Sequence, residues 1–194
     1  MNWKQAKRIL GKAWYFIWED DSLLSWIVNI ILAFVIVKFL IYPGLGLVLS
    51  TSYPVVAVVS SSMEHDGQDF EKWWEDNGEW YVENGIEKDE MEGYSLKDGF
   101  NKGDIIILLG KEPKSIKSGT VVVYSTERYA YPIIHRITKS WESDNKVYFQ
   151  TKGDNNPAPD PEIVTEEKIL GKAVIRVPLL GWIKIIFTEM IGGI

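Results

Sequence analysis

Ser62, His135, Asp154 and Asp160 carry the groups in this chain whose types suggest chemistry. A hydroxyl, an imidazole and a carboxylate are the three groups that nucleophilic acyl transfer requires. A serine hydroxyl attacks only when a base takes its proton, and the oxyanion that forms needs donors aimed at it. Ser62 closes the run Ser60-Ser61-Ser62-Met63, which follows the uncharged stretch 55–59. If the backbone stays extended to that point, Ser60 projects to the same face as Ser62 and its hydroxyl can donate to the same oxyanion. His135 is one of only two histidines. An imidazole exchanges protons near neutral pH, which makes His135 the candidate base. Arg136 then points to the opposite face of the strand. Asp154 and Asp160 flank Asn155-Asn156-Pro157-Ala158-Pro159, and carboxylates in that stiffened loop can orient an imidazole or bind a cation.

Each of these residues also has a purely structural reading. A serine run is usually loop, a strand histidine is usually a satisfied core residue, and an Asp-Asn-Pro segment is usually a polar turn. His65 lies three residues after Ser62 and competes for the base role if a helical turn starts there. No metal site is expected, because His65 and His135 are far apart and no tight ligand pair exists. No cofactor motif is present. The absence of cysteine removes thiolate zinc sites and cysteine nucleophiles together.

These groups need a rigid scaffold, and the pattern after residue 42 supplies one. Short β-branched runs at 55–59, 104–109, 121–124, 133–138, 147–151 and 173–177 are separated by Gly, Pro, Asn and Asp clusters. Six such strands without a βαβ rhythm predict a mostly β, antiparallel domain. Residues 66–101 interrupt that rhythm with Trp73, Trp74, Trp80, Tyr81, Tyr94 and Phe100 among many acids. A helix is predicted over 70–80. The aromatics of this insertion either pack it onto the sheet or form a substrate or partner surface.

The net charge of −6 is set by that insertion: residues 66–98 hold twelve acids and three lysines, a net of −9, so the remainder is about +3. With no basic stripe, nucleic acid is not an expected partner. From 22 to 62 the only charged residue is Lys38. Residues 23–41 are long enough to cross a hydrocarbon core of about 30 Å as a helix. Trp26 and Tyr42 suit the two interfaces, Lys38 can snorkel, and Pro43 with Gly44 is expected to end the helix. Lys4, Lys7, Arg8 and Lys12 precede the span with no acid before Glu19. The positive-inside rule therefore puts the N-terminus in the cytoplasm and the long C-terminal part outside. Residues 178–194 are too short and interrupted for a second span, and read as an interfacial helix.

Taken in order, several segments resemble the boxes of the type I signal peptidases. Ser60-Ser61-Ser62-Met63-Glu64 resembles that family's Ser-Gly-Ser-Met-x-Pro, and Lys102-Gly103-Asp104-Ile105-Ile106 its Gly-Asp-hydrophobic box. Residues 118–124 resemble a second such box, and Lys152-Gly153-Asp154-Asn155-Asn156 the final Gly-Asp box. Gly171-Lys172-Ala173 through Pro178 and Gly181 resembles the closing strand and turn. Ile134-His135-Arg136 stands where bacterial members carry Lys-Arg. Histidine there resembles the archaeal and endoplasmic-reticulum (Ser-His-Asp) branch.

The resemblance implies a mostly β, antiparallel catalytic domain of signal-peptidase type. One transmembrane helix precedes it and a short interfacial helix closes it. The boundaries expected are 1–21 for a cytoplasmic segment, 22–42 for the span, 43–177 for the extracytoplasmic domain with its insertion at 66–101, and 178–194 for the interfacial helix. The resemblance also implies a serine endopeptidase of the cell membrane that cleaves signal peptides from exported precursors. Ser62 is then the nucleophile, His135 the general base and Asp160 the orienting acid, with Asp154 and Ser60 in support. Expected partners are precursor proteins, the lipid bilayer and the translocation machinery. Small residues are expected at the substrate's −1 and −3 positions. Three positions depart from the pattern: Ser61 replaces glycine, His65 replaces proline, and Thr120 replaces an aspartate.

Overall fold

A computed structural model describes residues 2–110 and 112–190. The chain divides into two compact units, Met1–Leu45 and Gly46–Ile194.

In the first unit, helix α1 (Trp3–Trp18) starts at a capping box. Asn2 caps the Lys4 N–H, and the Gln5 side chain returns to the Asn2 N–H. Helix α2 (Leu23–Ile36) starts at a second cap, Ser22. It runs without a break through a wide turn, Val37–Ile41, into α3 (Tyr42–Val48). Leu23–Val48 reaches a mean hydropathy of 2.5 over its most apolar window. Pro43 and Gly44 therefore do not end the helix, contrary to expectation. Proline lacks the N–H that would bond the carbonyl four residues earlier, and its ring crowds that carbonyl. Here the preceding turn opens to the π form, with the Tyr42 N–H reaching Val37 O, and the chain passes the proline without unwinding.

The second unit is a seven-stranded antiparallel sheet, so the domain is mostly β as predicted. Its strands are β1 (Val55–Ala57), β2 (Ile105–Leu109), β3 (Val121–Tyr124), β4 (Ile133–Ser143), β5 (Lys146–Lys152), β6 (Val164–Thr165) and β7 (Ile169–Val177). Their order is β1-β2-β7-β3-β4-β5-β6, so the last strand lies in the interior. β3 is buried on both faces, which is why Val121-Val122-Val123-Tyr124 reads as an unbroken apolar run. Val121 and Val123 enter one core with Met63, Phe100, Ile106 and Ile134. Val122 and Tyr124 enter another with Ile137, Val147, Phe149 and Val164.

The insertion holds α4 (Phe70–Glu83) and α5 (Lys88–Glu92). Asp69 caps α4 through the Lys72 N–H. Phe70, Trp73, Tyr81, Ile86 and Met91 form a third buried cluster, so these aromatics pack the insertion instead of presenting a surface. After β7, the turn at Pro178 is held by Asp104, which accepts from the Leu179 N–H and pairs with Arg176. A short C-terminal helix, α6 (Trp182–Met190), follows. Only Ile185 of its apolar residues is fully buried, while Ile183, Ile186, Phe187 and Met190 are exposed. The rest of the expected interfacial helix, 191–194, lies outside the described residues.

Candidate functional site

Strand alternation on β4 separates two polar clusters. His135 lies opposite Val122, and Arg136 lies opposite Val121 and Lys152. Neighbours along a strand face opposite sides, so His135 and Arg136 serve different faces, as their spacing predicts.

On the His135 face, His135 Nε2 lies 3.0 Å from Ser62 Oγ and Nδ1 lies 2.6 Å from Asp160 Oδ2. An ionised carboxylate only accepts, so Nδ1 carries the proton and Nε2 is free to accept from Ser62. Thr151 Oγ1 and Tyr124 Oη also donate to Asp160 Oδ2, at 2.7 and 3.1 Å. Burial pushes the Asp160 carboxyl up, but the hydrogen bonds and charge of His135, with Thr151 and Tyr124, outweigh it and hold it below its ordinary value. Burial pushes the Tyr124 phenol well above its usual range, so it remains a donor. The Asp160 backbone folds back onto β5, where its N–H donates to Thr151 O at 2.8 Å.

Ser62 sits in the turn after β1. The strand is shorter than 55–59, but Val58 still pairs with the backbone of Gly103 and Asp104. Met63 is buried in the sheet core and anchors the turn immediately after Ser62. The loop after β5 clamps the same turn. The Asn155 N–H donates to Ser62 O at 2.8 Å, and Asn155 Nδ2 donates to Ser61 O at 3.2 Å. Gly153 makes this approach possible: a Cβ there would come 2.7 Å from Ser62 O and 2.9 Å from His135 Nε2. Ser60 Oγ lies 3.2 Å from Ser62 Oγ. An apolar cleft of about 200 Å³ opens beside these groups, with Val56, Val59, Tyr129, Tyr131 and Ile134 in its walls.

On the opposite face, Asp154 belongs to a separate buried cluster. Arg136 is fully buried and binds both Asp154 oxygens, Nε to Oδ1 at 2.8 Å and Nη2 to Oδ2 at 2.6 Å. Tyr81 Oη donates to Oδ1 at 2.9 Å and His65 Nε2 donates to Oδ2 at 3.1 Å. Burial would raise the Asp154 carboxyl, but Arg136 and then His65 hold it well below the usual carboxylate range. His65 stacks flat on Trp73 with ring centroids 4.0 Å apart, so its ring face and Nε2 are engaged with Trp73 and Asp154 and not with Ser62. Lys152 is buried over the Trp80 and Tyr81 rings, and burial pushes its ammonium down.

The structure thus brings together Ser62, His135, Asp160 and Ser60, and sets Asp154 in a different network. Sequence reasoning missed Gly153, Asn155, Thr151 and Tyr124 as parts of the site. Gly153 and Asn155 carried a signal through the final Gly-Asp box, whereas Thr151 and Tyr124 read as ordinary strand residues.

A hydroxyl–imidazole–carboxylate line beside an apolar cleft supplies the three groups that nucleophilic acyl transfer uses. No protein-family model matches the chain. Among curated proteins, it is similar to the signal peptidase complex catalytic subunit SEC11 of Yarrowia lipolytica, 28% identical over 160 residues. That match covers 78% of this chain and 73% of the relative. The Komagataella phaffii subunit SEC11 is also 28% identical, over 164 residues, covering 78% of this chain and 76% of the relative. The human catalytic subunit SEC11C is 32% identical over 103 residues, which is 49% of this chain and 54% of that protein. The chain is therefore similar to catalytic subunits of signal peptidase complexes, and the resemblance read from its boxes is borne out.

Proposed function

We propose that this chain is a membrane-anchored serine endopeptidase that removes signal peptides from exported precursors. The observation that carries the reading is the hydrogen-bonded line Ser62–His135–Asp160. Ser62 Oγ attacks the carbonyl at the end of the signal sequence while His135 Nε2 takes its proton. Asp160 holds the ring in the tautomer that leaves Nε2 free and stabilises the imidazolium that forms. Ser60, beside Ser62, donates to the oxyanion. His135 returns the proton to the leaving amine, and water then hydrolyses the acyl-enzyme by the same route. The cleft takes an extended segment with small side chains at −1 and −3. Asp154 acts on this chemistry through the backbone, by fixing the loop that carries Gly153 and Asn155.

Residues 1–21 lie in the cytoplasm, 22–42 cross the cell membrane, and 43–177 work on the far side. Residues 178–194, whose helix α6 exposes Ile183, Ile186, Phe187 and Met190, rest at the interface. The anchor confines enzyme and precursor to two dimensions, which raises their effective concentration. The translocation machinery that delivers precursors is the expected neighbour; the related proteins are named as subunits of a complex. The test is cleavage of a membrane-inserted precursor by the purified chain, with a serine-directed acylating probe in parallel. The wild type is expected to cleave and to label at Ser62, and Ser62→Ala to do neither. Turnover retained by Ser62→Ala removes Ser62 from the mechanism.

A further inference from the structure

Helix α1 has no role in the site, yet its sequence is strongly patterned. Ala6, Ile9, Leu10, Ala13, Trp14 and Ile17 fall at the spacing of one helical stripe. Lys4, Arg8 and Lys12 recur every fourth residue on the other side, and Lys7 sits at the border with its ammonium over the Trp3 ring. No residue of α1 is buried. Ile9, Leu10 and Trp14 are each more than half exposed, at 58%, 67% and 62%.

Two features identify what covers that stripe. The first is charge: the helix carries four basic residues and no acid before Glu19, which complements an anionic surface. The second is continuity with the apolar helix that follows. The last carbonyls of a helix have no partner within it. Here Ser25 Oγ donates to Phe16 O at 2.6 Å and Asn29 Nδ2 to Ile17 O at 2.9 Å. Two polar side chains in the opening turns of the apolar helix thus donate to the end of α1, which fastens α1 to the point where that helix begins.

We propose that α1 lies in the headgroup layer of the leaflet that holds the start of α2. Its Ile9–Ala13 stripe enters the acyl boundary, and Lys4, Lys7, Arg8 and Lys12 hold anionic phospholipid headgroups. The placement does not depend on the chemistry assigned to Ser62. The chain has no cysteine, so single-cysteine variants of the full chain can be spin-labelled without background. Labels at Gln5→Cys, Ile9→Cys, Ala13→Cys and Tyr15→Cys are compared in phosphatidylcholine bilayers with and without phosphatidylglycerol. Positions 9 and 13 are expected to be open to oxygen and closed to a water-soluble nickel chelate, and positions 5 and 15 the reverse. Phosphatidylglycerol should widen this contrast, and replacing the four basic residues with glutamine should abolish the widening. Equal chelate access at all four positions overturns the proposal. So does shielding of 9 and 13 from both reagents, which marks a protein partner, or indifference to the anionic lipid.

Discussion

Asp154 and Asp160 look interchangeable in the sequence, yet from one loop after β5 they bind partners on opposite faces of β4, Arg136 for Asp154 and His135 for Asp160. Replacing Asp160 with asparagine removes the acceptor that fixes His135 Nδ1–H, and kcat/KM should fall by about 10³–10⁴-fold with little change in folding. Asp154→Asn instead leaves the buried Arg136 guanidinium without its counter-ion, a loss of about 3–5 kcal/mol of stability, seen as a lower unfolding midpoint. A larger catalytic loss for Asp154→Asn in the folded fraction would mean that their roles are reversed. His135→Lys should not restore a base, because Asp160 would hold the new ammonium charged; measured cleavage should stay at background. Gly153→Ala should reduce turnover sharply, since its methyl group would enter the space of Ser62 and His135. The hydroxyl and imidazole were legible from residue type and order, whereas the choice of Asp160 over Asp154 came only from the family resemblance. The clamps were not, because a glycine's missing atoms and a backbone N–H leave no mark of their own in a sequence.

At the level of elements, the insertion is tied to the sheet through Tyr81 on α4, whose hydroxyl reaches Asp154. Tyr81→Phe keeps the ring packing and removes that bond to a charged group, so the second unit should lose about 1.5–3 kcal/mol. A chemical unfolding series in detergent measures it; no change would mean that packing alone holds the insertion. All six expected strands are present, because β-branched runs between turn residues follow local physics; β2, β3 and β5 keep their predicted bounds to within a residue, while β4 runs on to Ser143 and β7 starts earlier, at Ile169. The first run stops early at Ala57. β6 was missed because two paired residues, Val164 and Thr165, carry no detectable period. The helix through Pro43 was misjudged because one wide turn absorbs the proline, a non-local adjustment that propensity does not encode. Sheet order was equally hidden, since β7 pairs with β2 and β3 across long stretches of chain.

For the whole molecule, Asp154 and Asp160 both carry folded values below their unfolded ones. A depressed acid stabilises the fold above its unfolded pKa, about 3.9 for aspartate, and that contribution is lost as pH falls through the folded value. Thermal midpoints should therefore be insensitive to these two groups near neutrality and drop steeply below about pH 4. Asp154→Asn should lie lower at neutral pH and show a shallower acid limb. The position of β7 bears on timing. Ribosomes release the segments that carry residues 62 and 135 well before the final strand, yet that strand is the partition to which both halves of the sheet attach. On the proposed function, a nascent chain is expected to stay inert until its closing segment arrives, so that topology keeps an unfinished chain from cutting its neighbours.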